Sequence, residues 1–187
     1  MKIWLRLFAL ISVCVLIVLA VGSILPRNYH LLAEIEIEAP ATVVFPLINE
    51  LPNWQGWSNF SEQRIESLRI TYGTKRAGVG ASQTWQDARG SGKLWITNSE
   101  SNELIEYKLN FDQFPTMDSQ IRLTANGEKT SLKWTSDGSL PAGPFYGYGG
   151  FLFNRQMQYE YETSLERLKK IAEGGLDENS QPASQTE

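Results

Sequence analysis

The sequence predicts an α+β domain, an antiparallel sheet of about seven strands followed by one long C-terminal helix, behind a single N-terminal transmembrane helix. Three observations carry this. The nineteen residues from Leu7 to Leu25 hold no charge and no proline. From Glu62 to about Asp137, short segments of alternating polarity succeed one another with no helix-length stretch between them. From about Phe151 to Glu173 the apolar residues recur three or four apart, the spacing of one helix face.

The apolar run comes first. Nineteen helical residues extend about 28 Å, close to the thickness of a bilayer's hydrocarbon core. Lys2 and Arg6 precede it, so a secretory signal peptide is the alternative reading. Two features favour an uncleaved anchor. The run is longer than a signal's apolar region, and Val21-Gly22-Ser23 places a large residue where cleavage wants a small one. After the run, Arg27 stands alone before Glu34, Glu36 and Glu38. The charge bias therefore predicts a single-pass protein of the cell membrane with an extracytoplasmic domain. Cys14, the one cysteine, lies inside the run, so the domain has no internal disulfide and must be held by its core.

Charge excludes one class of partner. Seventeen basic residues, two of them ahead of the span, stand against 21 acidic ones, for a net charge of −4. A mildly acidic domain is no nucleic-acid binder.

Element by element, Leu32 to Ala39 alternates acidic or exposed residues with Ala33, Ile35 and Ile37 and reads as a half-buried strand. Pro40 opens a short or bent helix limited by Pro46, and Pro52 starts another turn. Six strands are expected near 63–72, 80–87, 92–99, 103–111, 117–125 and 130–136. Asn126-Gly127 should turn between the last two, and the run from Asp87 to Gly92 makes a second hairpin connection. A glycine- and aromatic-rich loop is expected over 137–150. The helix follows, with Phe153, Met157, Tyr161, Leu165, Leu168 and Ala172 on its apolar stripe, Lys169 and Lys170 in its last turn and Gly174-Gly175 as its stop. This divides the chain into an anchor over 1–30, a domain over 31–174 and a disordered tail over 175–187.

The motifs along this layout have a family likeness. Ile35-Glu-Ile-Glu-Ala-Pro-Ala-Thr-Val-Val-Phe45, then Asn53-Trp-Gln-Gly-Trp-Ser-Asn59 with Asn59 in place of a proline, then Gly78-Val-Gly-Ala-Ser-Gln-Thr-Trp85, and finally Leu165-Glu-Arg-Leu-Lys169 occur in order. In this the chain resembles the START-like helix-grip superfamily (SRPBCC), of the polyketide cyclase/dehydrase and lipid-transport type, in a membrane-anchored bacterial form. The resemblance implies a helix-grip fold: a curved sheet wrapped around the long helix, with a cavity between them for an apolar or amphipathic small molecule. The residues expected at that ligand are Trp85, Trp95, Tyr107, Phe111, Trp134, Tyr148, Phe153 and Met157, since aromatic groups offer large contact areas. An ordinary packed core is the other reading of the same side chains. Trp54 and Trp57 are expected to lock the short helices onto the sheet.

Catalytic signals are thin. His30, the one histidine, lies just beyond the span, and no thiol or zinc ligand set remains in the domain. Glu66, Asp87, Glu100, Glu106 and Asp112 lack diagnostic spacing, although one turned inward could act as an acid or base. Arg69, Arg89, Arg122 and Lys108 could hold a ligand carboxylate. Gly147-Tyr-Gly-Gly150 lacks the lysine of a phosphate loop. The expectation is a non-enzymatic, cofactor-free domain that binds a lipid-like molecule beside the membrane. A cell-envelope protein partner for a closed core, and a cyclase, dehydrase or hydrolase activity, are the alternatives.

Overall fold

The computed structural model describes residues 2–88, 90–112, 114–141 and 143–174. Helix α1 (Lys2–Ile24) is followed by strand β1 (Asn28–Ile37), helix α2 (Ala41–Asn49), a 3-10 turn at Leu51–Asn53 and the one-turn helix α3 (Trp54–Trp57). Strands β2 (Arg69–Tyr72), β3 (Ser82–Asp87), β4 (Gly90–Glu100), β5 (Leu104–Phe111), β6 (Met117–Asn126) and β7 (Lys129–Ser139) form a meander, and helix α4 (Pro144–Ala172) closes the chain. The seven strands make one antiparallel sheet in the order β1-β7-β6-β5-β4-β3-β2.

The sheet is open, which corrects the expected wrapped geometry. β1 and β2 lie at opposite edges and do not pair. Curling a sheet toward closure takes repeated bulges or bends, and β4 carries a register shift between Ile96 and Asn98. β2, only four residues long, offers little to extend that edge. Instead of being gripped, α4 runs along β1, touches α3, and reaches α1 with its first turns. Its side chains serve the outer edge of β1: Gln158 Nε2 donates to the Leu32 carbonyl (2.6 Å), Lys169 Nζ to the Glu36 carbonyl (2.7 Å), and the Glu38 amide donates to Glu173 Oε1 (2.7 Å).

One face of the sheet is covered. Leu31, Ile37, Ile96, Ile105, Ile121 and Leu132 project from it and are fully buried with Leu165 and Leu168 of α4. The tryptophans of α3 hold α2 in place, as Trp54 Nε1 donates to the Ile48 carbonyl and Trp57 Nε1 to the Leu47 carbonyl, each at 2.9 Å. Asn59 then ties this region to α4. Its amide donates to Ser164 Oγ (2.9 Å), its side chain bonds the Glu160 carbonyl and Thr163, and Arg167 donates to its Oδ1.

Three local expectations shift. The strand expected over 63–72 forms only from Arg69. Turns closed by the Ile65 and Leu68 amides precede it, and the Arg64 guanidinium donates to the Gln55 and Gly56 carbonyls from inside the loop. The last hairpin turns one residue later than expected: Asn126 pairs with Lys129, and Gly127 takes the first turn position with φ +66°, where glycine is favoured. Finally, α4 begins at Pro144, so the glycine-rich stretch expected as a loop is helical. Proline suits a first helical position. The tail over 175–187, Arg89 and the Phe151 side chain lie outside the described residues.

Leu168 is wholly buried where α4 meets the sheet, whereas Val43 is 46% exposed. Leu168→Ala should lower the unfolding free energy by about 2 to 5 kcal/mol. Val43→Ala should stay within about 0.5 kcal/mol of the parent. Urea unfolding of the detergent-solubilised chain checks both.

Candidate functional site

The covered face of the sheet contains an aromatic cluster with polar groups at its centre. The Tyr161 ring of α4 stacks on Trp134 of β7, with centroids 3.8 Å apart and planes at 15°. Trp54 and Trp57 meet Trp134 edge-on, and Trp54 meets Tyr107 at 5.3 Å and 87°. Inside these rings, Trp134 Nε1 donates to the Tyr107 hydroxyl (2.8 Å), Ser119 Oγ bonds Ser136 Oγ (2.6 Å), and Ser136 Oγ bonds the Tyr161 hydroxyl (2.8 Å). Burial pushes the Tyr161 phenol up to about 12. Tyr107 is raised well above its ordinary value, first by burial and then by the neighbouring Tyr161. Both phenols are therefore neutral hydrogen-bonding groups at ordinary pH.

A second run of rings leads outward. Phe60 meets Trp85 at 5.0 Å, Trp85 meets Phe111 at 5.3 Å, Phe111 meets Phe114 at 6.5 Å and Phe114 meets Tyr146 at 6.3 Å. The series runs from half-buried Phe60 and buried Trp85 to exposed Phe114 and Tyr146. Beside Trp85 on the covered face is Gln83, 4% exposed, whose Oε1 is buried without a hydrogen-bond partner among the described residues. A buried acceptor left unpaired costs about 1 to 3 kcal/mol.

Of the residues expected at a ligand, the structure gathers Trp85, Tyr107, Phe111 and Trp134 on the covered face, and brings the half-buried Met157 against the same core. Phe153 pairs with Tyr29 at 5.0 Å, near the start of β1. Trp95 is elsewhere: Leu94 and Ile96 take the covered phase of β4, and Trp95 lies on the opposite face with the Lys93 ammonium 5.7 Å from its ring centre. Tyr148 is exposed, its hydroxyl donating to the Val18 carbonyl of α1 (2.7 Å). The residues that sequence reasoning passed over are Gln83, Ser119 and Ser136. Their signal was phase, since each shares the inward alternation of its strand with Trp85, Ile121 or Trp134.

The opposite face bears a groove of about 290 Å³ lined by Thr97, Glu106, Lys108, Asp118, Gln120, Thr135 and Asp137, with Tyr107 and Ser119 at its floor. Lys108 pairs with Asp118 (2.8 Å) and Asp137 with His30 (2.7 Å), all at exposed or half-exposed positions. Among the described residues the buried polar side chains are serines, threonines and Gln83, and no carboxylate is among them. No group of His, Cys, Asp and Glu side chains suited to a metal ion occurs among those residues.

Tyr161 makes the cluster alkali-sensitive. Its folded pKa lies above the ordinary 10.0, so its contribution is complete below pH 10 and is lost as pH rises toward about 12. Stability should fall across that window, and Tyr161→Phe should flatten the fall. Urea midpoints measured on both sides of pH 10 test this.

Comparison with known proteins follows the same outline. No curated protein sequence matches the chain. Among solved structures, one from Thermus thermophilus superposes with a TM-score of 0.61 at 16% identity, covering 80% of this chain and 100% of that one. One from Rhizobium leguminosarum gives 0.56 at 14% identity over 79% and 96%. CalU16 from Micromonospora echinospora gives 0.54 at 11% identity over 78% and 76%. These likenesses concern the fold. The family model described as polyketide cyclase / dehydrase and lipid transport matches residues 30–173, from the start of β1 to the end of α4. The chain belongs to the polyketide cyclase/dehydrase and lipid-transport family.

Proposed function

We propose that the chain is a single-pass membrane protein whose extracytoplasmic domain binds a lipid-like, amphipathic small molecule on the covered face of its sheet, without transforming it. The observation that carries this is Gln83. An acceptor buried without a partner beside Trp85 is a cost to the unliganded fold, and a hydroxyl or amide donor on a bound molecule would remove it. The rings of Phe60, Trp85 and Phe111 suit the molecule's apolar part, and the hydroxyls of Tyr107, Ser119, Ser136 and Tyr161 offer further polar contacts. Entry requires side chains in this packed interior to move aside.

Binding is favoured over catalysis because the titratable groups at the centre are phenols, one held near 12, far from the pKa that suits an acid or base at neutral pH. Membrane attachment is supported by the apolar segment Arg6–Ile24, the one helix among the described residues long and apolar enough to cross a bilayer. The proposed orientation rests on Lys2 and Arg6 at its N-terminal end and Glu34, Glu36 and Glu38 beyond it.

Native mass spectrometry of the full chain released from detergent, followed by organic extraction, tests the reading. A lipid-like species at about one per chain is expected. Gln83→Leu should retain it about five- to tenfold less well, the worth of one hydrogen bond, while leaving the empty fold equally or more stable. Bare protein for parent and variant alike, even after incubation with bacterial lipids, would sink the idea.

A further inference from the structure

The domain does not hang from α1 by a free tether. α1 and the first turns of α4 cross where neither has a side chain: a Cβ at Gly22 would run into the Pro144 carbonyl and the Tyr148 ring, and one at Gly147 into the Gly22 carbonyl. The Tyr148 hydroxyl donates to the carbonyl of Val18. Val18 lies six residues before Ile24, where the apolar span ends, so this contact is about 9 Å inside that end at 1.5 Å per residue. Beyond the crossing, the Leu140 amide bonds the Arg27 carbonyl (2.9 Å), fixing the end of β7 to the exit of the anchor.

Four aromatic side chains stand exposed at this end. Phe145 is 75% exposed, Tyr148 42%, and Tyr146 and Phe114 each 38%. Phe114 comes from the β5–β6 connection and meets Tyr146, so two separate segments contribute to one patch. Aromatic residues in water are a cost, whereas the headgroup layer of a bilayer accepts both their rings and the tyrosine hydroxyls.

We propose that this end of the domain is seated in the interfacial layer of the bilayer, with Phe145, Tyr146 and Phe114 among the lipid headgroups, Tyr148 reaching below them to Val18, and the glycine crossing holding them at that depth. This rests on α1 being a membrane anchor. It also specifies how the proposed ligand arrives. The series Tyr146, Phe114, Phe111, Trp85 begins within the lipid layer and ends at Gln83's neighbour. The partner is therefore the membrane itself, and the ligand class is a membrane lipid that enters without crossing water.

The test uses the full chain with Cys14→Ala and single labelling sites from Ile11→Cys in mid-span, Phe145→Cys, Phe114→Cys, and Glu128→Cys at the far hairpin. Each is labelled with an environment-sensitive fluorophore and reconstituted into phosphatidylcholine–phosphatidylglycerol vesicles carrying nitroxide lipids. Probes at 11, 145 and 114 should lose fluorescence to the nitroxides, and the probe at 128 should not. Quenching at 11 with 145 and 114 as bright as 128 would overturn the seating while leaving the anchor intact. Four unquenched probes would overturn the anchor and the seating together. Lipid retention is read separately by mass, so failure of the binding reading would leave the quenching pattern unchanged.

Discussion

The stack of Tyr161 on Trp134 is the contact on which the arrangement of this domain depends. It ties the middle of α4, which runs along β1, to the neighbouring strand β7, and the hydroxyl chain through Ser136 and Ser119 fixes the helix in rotation as well as position. Apolar packing alone would tolerate sliding of a helix across a sheet, because dispersion and burial have little direction. Directed bonds between buried hydroxyls do not tolerate it. Trp54 and Trp57 close on the same ring from the other side, so the short helices take their position from it too.

The same contact explains why polar groups survive at the centre of an aromatic core. Each hydroxyl there answers another, which removes most of the cost of burial. Gln83 departs from that pattern. It belongs to the inner phase of β3, where its neighbours Ala81 and Trp85 are apolar.

Much of the fold was legible because periodicity reports burial directly. The alternation of β1 and the stripe ending in Leu165, Leu168 and Ala172 fall where the sequence places them, since each depends on one buried face. What could not be read was set by distant partners. Residues 144–150 look like a loop by composition, but their helix packs on α1, more than 120 residues earlier, at a crossing where neither Gly22 nor Gly147 has room for a Cβ. The openness of the sheet depends on whether β1 finds β2, which no local pattern encodes. For the candidate site, counting aromatics selects Trp85, Tyr107, Phe111 and Trp134, which share the covered face, together with Trp95, which lies on the phase of Lys93 and Thr97 opposite Leu94 and Ile96. The polar members were hidden because a serine or glutamine within a strand reads as solvent-facing until its phase is compared with its neighbours.

An open sheet has an edge, and an edge with free amides and carbonyls invites another chain to add a strand. Here the outer side of β1 is already answered by α4, through Gln158 at Leu32, Lys169 at Glu36 and Glu173 at Glu38. These side chains occupy the positions that a neighbouring strand's backbone would take. Anchored as proposed above, the domain would meet its own copies far more often than one free in solution. Such domains can slide past one another without zipping together through β1, because that edge is engaged within each copy and the other edge, β2, is only four residues long.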